Sequence, residues 1–352
     1  MSSLISDPWC SGVIPPYLLD RLAHHASPRV RQRAIATLRI EQQERSLRAN
    51  QGVAHARARL PATSSLPPGQ VNRAVHSAAN RTDLPGQLVR AEGQPPSGDA
   101  AVDEAYDHLG ATYDLFWQVY RRHSIDNAGL PLVGTVHYGD DYDNAFWNGA
   151  QMVFGDGDGE VFNRFTVAVD VVGHELSHGV IDHEAALQYQ GQSGALNESL
   201  CDVFGSLVKQ HRAGQTAEQA DWLVGAGLFT AAVNARALRS MAQPGSAYDD
   251  PALGKDPQPA HMQHYVDTTD DNGGVHINSG ILNRAFYLAA TALGGPAWER
   301  AGRVWYDTLR DKRLGAHADF ASFAALTIEV ASTDAATRQA VREAWRQVGV
   351  LP

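Results

Sequence analysis

Residues 170–178 read DVVGHELSH, and residues 194–202 read GALNESLCD. In the first stretch His174 and His178 are four residues apart, so on a helix both imidazoles lie on one face. Two nitrogens at that spacing can share one ion, and Glu175 lies on the same rim without needing to ligate it. In the second stretch Glu198 and Asp202 repeat the four-residue spacing. If the two segments are helices packed antiparallel, with the connection near Gly191–Gly194, Glu198 can complete a site of two histidines and one glutamate. Asp202 can then accept the remaining ring N–H of a ligand histidine, the usual way such ligands are oriented. Asn197 is expected beside the ligands.

The five-residue pattern is weak alone. Two surface histidines on a helix are common, and Glu198 could simply be a first-turn acid facing the helix dipole. Matching spacings on consecutive helices argue against that. His-Glu-x-x-His is the arrangement in which zinc peptidases carry two ligands and a general base. No Gly-x-x-His follows His178, so a third histidine ligand of the metzincin kind is absent. Zinc aminopeptidases with a similar glutamate ligand also need a motif for a free amino terminus, and none is found.

The chain of 352 residues is long enough for two or three compact units. Its 43% hydrophobic and 19% charged content is ordinary for a globular enzyme. A net charge of −10 gives no reason to expect a nucleic-acid partner. The charge is uneven: residues 1–60 hold nine arginines and no lysine against four acids. That basic segment can dock on the acidic remainder, or it can simply be a solvated helix. Only Cys10 and Cys201 are present, so no disulfide framework exists. Cys10 as a latch on the metal is a minor alternative, and Cys201 reads as a core thiol. No apolar run approaches the roughly 20 residues that span a bilayer, so no membrane partner is expected. The N-terminus lacks the basic and apolar regions of a Sec signal. Secretion by a non-classical route is expected, with the cytoplasm as the alternative.

Residues 1–50 read as a small helical unit, with Tyr17, Leu18, Leu19 and Leu22 at helical spacing and a second helix over 28–49. Residues 51–70 have a linker composition. A turn and strand are predicted at 84–92, an amphipathic helix at 101–122, and strands at 131–138, 150–154 and 160–163. After Thr166 helices are predicted at 166–185, 195–212, 218–232, 277–292, 297–311, 317–332 and 335–347. This is an α+β chain: a small helical unit, a β-rich lobe, then an α-helical lobe. The expected divisions are 1–58, 59–185 and 186–352.

Further blocks occur in order: HYGDDYDNAFWNG at 137–149, MVFGDGDG at 152–159, LRSM at 238–241 and DNGGVHINSGI at 271–281. With the two opening stretches, they resemble the thermolysin-like metallopeptidases over about residues 70–352. IPPYLLDRLA at 14–23 and TDLPGQLVRAEGQ at 82–94 resemble the protealysin-like subgroup, which has a short propeptide. The resemblance implies a zinc helix at the floor of a cleft between the lobes. It implies one zinc per chain on His174, His178 and Glu198, with Glu175 as general base. Tyr189 and His276 would stabilise the oxyanion, with Asp271 orienting His276. Asn144, Ala145 and Arg239 would hold the substrate backbone, and Trp147 would line the cleft. Phe162, Phe165, Val171 and Leu238 would form the pocket for the residue after the cut. That pocket implies cleavage of peptides and proteins on the N-terminal side of bulky hydrophobic residues.

The same resemblance implies a monomer made as a self-processing precursor, with its propeptide as intramolecular inhibitor. Leu47, Val53 and Leu60 offer processing positions. One departure stands out. Relatives bind a calcium pair through several carboxylates, but the matching positions here include Lys209, Leu223, Ala226 and Arg236. No double calcium site is expected, with Lys209 replacing it by pairing with Asp170 or Asp221. A metal-free protein that merely keeps the fold is the competing reading. It is disfavoured because no expected catalytic position is substituted.

Overall fold

The structure, a computed structural model, describes residues 12–58 and 66–352. The elements at the N-terminus are α1 (Pro16–Leu22) and α2 (Pro28–Ala58). Pro15 and Pro16 start α1, where a missing N–H costs nothing. Leu18, Leu19 and Leu22 are buried, as are Val30 and Ala34 of α2. The helix α2 runs on to Ala58, so residues 51–58 are helical rather than linker. Residues 59–65, Cys10, and the side chains of Leu47, Val53 and Leu60 lie outside the described residues.

The middle of the chain builds a five-stranded sheet from β1 (Arg73–Ser77), β2 (Gln87–Ala91), β3 (Leu132–Val136), β4 (Ala145–Trp147) and β5 (Met152–Phe154). Its order is β2-β1-β3-β5-β4. The β1–β3 and β3–β5 pairs are parallel, and β2 and β4 are antiparallel edges. The helix α3 (Ala100–Tyr120) packs on this sheet. Asp99 caps it by accepting from the N–H groups of Ala101 and Val102. Its stripe of Tyr106, Leu109, Tyr113, Phe116 and Tyr120 is buried, as the helical period predicts. Each such side chain contributes about 1.5–3 kcal/mol of burial.

The segment 160–163 predicted as a strand forms only a bridge, Phe162 to Phe229. The side chain of Asp158 explains this, since it accepts from the backbone of Glu160, Val161 and Phe162 and curls the chain into a turn. The strands β1 and β4 were not foreseen. The strand β1 pairs in parallel with the distant β3, whereas β4 has only three residues and pairs with β5 in a tight hairpin.

The helices that follow the sheet are α4 (Val169–Glu184), at the junction of the two lobes, and α5 (Gly191–Ala213), α6 (Asp271–Leu293), α7 (Ala301–Arg310), α8 (Phe320–Val330) and α9 (Ala335–Gln347) beyond it. The helix predicted at 218–232 is absent. In its place β6 (Leu223–Val224) pairs with β7 (Arg239–Ser240). Asp221 accepts from the Leu223 N–H and pairs with Lys209, and these side-chain bonds outweigh the apolar spacing. A small hairpin, β8 (Asp249–Asp250) and β9 (Gly254–Lys255), follows.

The crossing of α4 and α5 sets the site. A Cβ at Gly205 would lie 2.3 Å from the Asp170 carbonyl oxygen, so only glycine permits this approach. The contacts Asp170 to Gly205, His174 to Asp202 and His178 to Asn197 run in opposite directions along the two helices. The packing is antiparallel, and the connection is residues 185–190. No helix among the described residues is long and apolar enough to cross a membrane.

Candidate metal centre and peptide cleft

The second and third turns of α4 carry His174, Glu175 and His178, all buried. The facing turns of α5 carry Glu198, Asn197 and Asp202. Glu198 lies 3.5 Å from Nε2 of both histidines. The other ring nitrogen of each histidine is occupied. Nδ1 of His174 lies 2.8 Å from Asp202 Oδ1, and Nδ1 of His178 lies 2.9 Å from Asn197 Oδ1. Both Nε2 atoms are therefore turned toward the Glu198 carboxylate.

Whether a metal fits can be read from the leftover polar atoms. Nε2 of His178 and Oε2 of Glu198 are buried without a hydrogen-bond partner. Leaving such groups unmatched costs about 1–3 kcal/mol each. Two imidazole nitrogens and a carboxylate converging without protons between them suit zinc. Burial favours the neutral ring of His178, whose pKa falls to about 4. Burial opposes the charge of Glu198, but His276, His174, His178 and Arg239 hold its pKa down at about 2. These are the protonation states a metal requires.

Cys201 offers a different grouping, since its sulfur and ring nitrogens of His174 and His178 lie within 4.8 Å of one another. Its Sγ, however, lies 3.1 Å from Nδ1 of His178, the nitrogen turned to Asn197. Cys201 thus stands behind the ring, on the side away from Glu198. It is buried in the core, as expected, and also touches the back of a candidate ligand.

Glu175 does not join the three. Its Oε2 accepts from the Trp147 N–H at 3.0 Å, and its Oε1 is buried without a partner. Burial above all pushes its pKa up to about 7, helped by the Glu198 charge. A carboxylate so placed suits proton transfer near neutral pH.

Tyr189 and His276 converge on the same carboxylate from the far side. The Tyr189 hydroxyl donates to Glu198 and lies 3.3 Å from Nε2 of His276, which is 3.5 Å from Glu198 Oε2. Asp271 accepts the His276 backbone N–H at 2.9 Å and lies 2.6 Å from its Nδ1. Burial would lower the His276 pKa, but Asp271 and Glu198 raise it to about 9. Asp271 reaches both atoms because residues 271–274 form a left-handed turn, with φ of 51° at Asp271 and Asn272. Gln258, not foreseen, donates to the His276 carbonyl at 2.8 Å.

The cleft edge is β4, and a stretch of the chain's own N-terminus lies on it. The Val13 N–H donates to the Ala145 carbonyl at 3.0 Å. Asn144 accepts from the Ile14 N–H at 2.9 Å and donates to the Ile14 carbonyl at 3.3 Å. Arg239 donates to the Val13 carbonyl at 3.4 Å. A Cβ at Gly12 would meet the Ala145 oxygen at 2.3 Å, so the chain enters as close as glycine allows. Glu41 of α2 accepts from Asn144. Val13 and Ile14 are 1% and 0% exposed.

Nearer the start of α2, Arg33 pairs with Asp140 at 2.6 Å and Asp141 at 2.8 Å. Arg29 lies 3.6 Å from Asp141 and 3.4 Å from Glu160. The basic segment docks on the acidic remainder, the first of the two readings its charge allowed. Lys209 also meets its expected partners, Asp170 at 3.0 Å and Asp221 at 2.8 Å.

Comparison with known proteins gives a consistent result. Residues 63–182 match the family described as thermolysin metallopeptidase, catalytic domain, and residues 185–350 match its alpha-helical domain. The chain is 58% identical over 347 residues to an extracellular metalloprotease of Pectobacterium carotovorum subsp. carotovorum, covering 98% of this chain and 97% of that one. It is 48% identical over 343 residues to the protease PrtS of a Photorhabdus species, covering 96% and 92%. Among solved structures it is similar to the precursor of protealysin, a metalloproteinase from Serratia proteamaculans. There the TM-score is 0.89 and the identity 57%, with 97% of this chain and 100% of that chain covered.

Proposed function

The chain belongs to the thermolysin metallopeptidase family, and from that premise we propose that it is a zinc endopeptidase held as a self-blocked precursor. One observation carries the reading: a peptide backbone, the chain's own Val13 and Ile14, lies on Asn144, Ala145 and Arg239 beside Glu175 and three converging donor groups. The family is zinc-dependent. His174, His178 and Glu198 would hold one zinc per chain, with Asn197 and Asp202 orienting the two imidazoles. When bound, the zinc supplies Lewis-acid polarisation of water and of the scissile carbonyl.

The remaining work falls to side chains. Asn144, Ala145 and Arg239 would bind the substrate backbone through the groups that hold residues 13 and 14. Glu175, its Oε2 fixed by the Trp147 N–H, takes a proton from the attacking water at Oε1 and returns it to the leaving amine. Tyr189 and the imidazolium of His276, oriented by Asp271, donate to the oxyanion as charge develops. Phe162, Phe165, Val171 and Leu238, all buried, would line the position of the residue after the cut and support a preference for bulky apolar residues there, and Trp147 would line the cleft.

Residues 1–58 act as propeptide, removed by cleavage within 46–60, leaving lobes 59–185 and 186–352. The propeptide inhibits by filling the cleft and is anchored by Arg29 and Arg33. The product is a monomer acting on peptides and proteins. It acts outside the cell, a reading supported by the extracellular designation of a relative. It has no double calcium site, because Lys209 sits between the carboxylates that would bind one. The processed enzyme should hydrolyse azocasein, lose this activity to 1,10-phenanthroline and regain it with about one equivalent of zinc. Hydrolysis indifferent to the chelator would overturn the proposal.

A further inference from the structure

Asp202 receives four hydrogen bonds, all from side chains. Its Oδ1 accepts from Nδ1 of His174 at 2.8 Å and Nη2 of Arg239 at 2.7 Å. Its Oδ2 accepts from Nε of Arg239 and Nδ2 of Asn283, each at 2.7 Å. A carboxylate has about four lone-pair positions, so this one is saturated. Every member is buried, Asp202 and Asn283 completely. Burial opposes the Asp202 charge, yet Arg239 and His174 hold its pKa far below the usual carboxylate range.

Three of these bonds come from groups with work elsewhere. His174 turns Nε2 toward Glu198, and Arg239 reaches the Val13 carbonyl with Nη1. Asn283 has no such second task. Asp202, when ionised, can only accept, so Asn283 must present its NH2 to it. The Oδ1 of Asn283 then accepts from the Ser199 hydroxyl at 2.8 Å. Ser199 follows Glu198 directly on α5, and Asn283 lies two turns beyond His276 on α6. The Ser199–Asn283–Asp202 chain therefore ties the two helices together at the level of the three donors.

The Arg239 fork alone leaves Asp202 free to follow the guanidinium, and the His174 bond is then the one that lengthens. We infer that Asn283, itself held by Ser199, is a positioning residue that fixes the Asp202 carboxylate and so orients both His174 and Arg239. This rests on the reading of His174 as a zinc ligand and Arg239 as a substrate contact.

The test uses the full-length chain carrying Glu175→Gln, which keeps the protein unprocessed, and follows zinc transfer to a colorimetric chelator. Asn283→Leu should accelerate zinc release about 10-fold, the lower end for partners of metal ligands. Ser199→Ala should accelerate it less, and the double variant no more than Asn283→Leu alone, because the two act in series. The zinc-loaded form of Asn283→Leu should lose more thermal stability than its zinc-free form. Unchanged zinc release, or equal losses in both forms, would overturn the inference. If Asn283→Leu does not fold, Ser199→Ala decides: unchanged release there overturns it equally. A Glu175→Gln parent without zinc would instead sink the metal-site reading.

Discussion

Glu175→Gln is expected to reduce kcat/KM at least about 10³-fold, within the range general-base catalysis contributes, while leaving zinc bound. The argument is geometric. One carboxylate oxygen accepts from the Trp147 N–H, and the amide oxygen of glutamine can do the same. The other oxygen, Oε1, is buried without a partner, and the NH2 that replaces it cannot take a proton. The volume and the N–H contact persist, so the fold should too. The variant should also accumulate as an uncut 352-residue chain, because processing is assigned to the chain's own activity. Intact mass and azocasein hydrolysis read the two effects together. A processed Glu175→Gln chain made in a host without other proteases would remove the self-cleavage claim, and retained hydrolysis would remove the role of Glu175.

Lys209→Met is expected to destabilise the chain by about 2 kcal/mol. Lys209 places three donors against Asp170, Asp221 and the Leu223 carbonyl. Burial would lower its pKa, but the two carboxylates raise it. Methionine fills a similar volume and abandons Asp170, which is 1% exposed, without its cation. Breaking a fully buried pair costs 3–5 kcal/mol. Lys209 is partly exposed and Asp221 half-exposed, so screening reduces this to about 2 kcal/mol. For a chain of 352 residues that is a fall of about 3 °C in Tm. Calorimetry in the Glu175→Gln background, which prevents self-digestion, measures it. Added calcium should leave the parent unchanged. A melting point unmoved by Lys209→Met, or raised several degrees in the parent by micromolar calcium, would refute the replacement of metal by lysine.

The features legible in the sequence were those carried by local spacing. His174, His178, Glu198 and Asp202 were found from two i,i+4 pairs, and the antiparallel packing that joins them follows from their order. The α3 stripe from Tyr106 to Tyr120 was equally plain. What escaped depends on distant partners. The strand β1 pairs in parallel with β3 across a long separation, and β4 has only three residues, too few for a period to show. The apolar spacing of 218–232 pointed to a helix, but Asp221 is recruited by Lys209 and the chain extends into β6 instead.

Asn283 left a faint signal, one polar residue on the inward face of α6 between Leu282 and Ala285, which only its contact with Asp202 interprets. The charge imbalance allows docking of the N-terminus and equally a solvated helix, and the Arg29 and Arg33 pairs decide for docking. It did not say that Val13 and Ile14, two apolar residues without charge, would lie on the cleft edge.

The central claim is that His174, His178 and Glu198 form one zinc site, and metal content tests it most directly. Atomic absorption on the dialysed Glu175→Gln chain should find about one zinc per molecule, with His174→Ala and Glu198→Ala in the same background falling below about a tenth of that. A folded His174→Ala or Glu198→Ala protein that still retains a full equivalent would contradict the assignment.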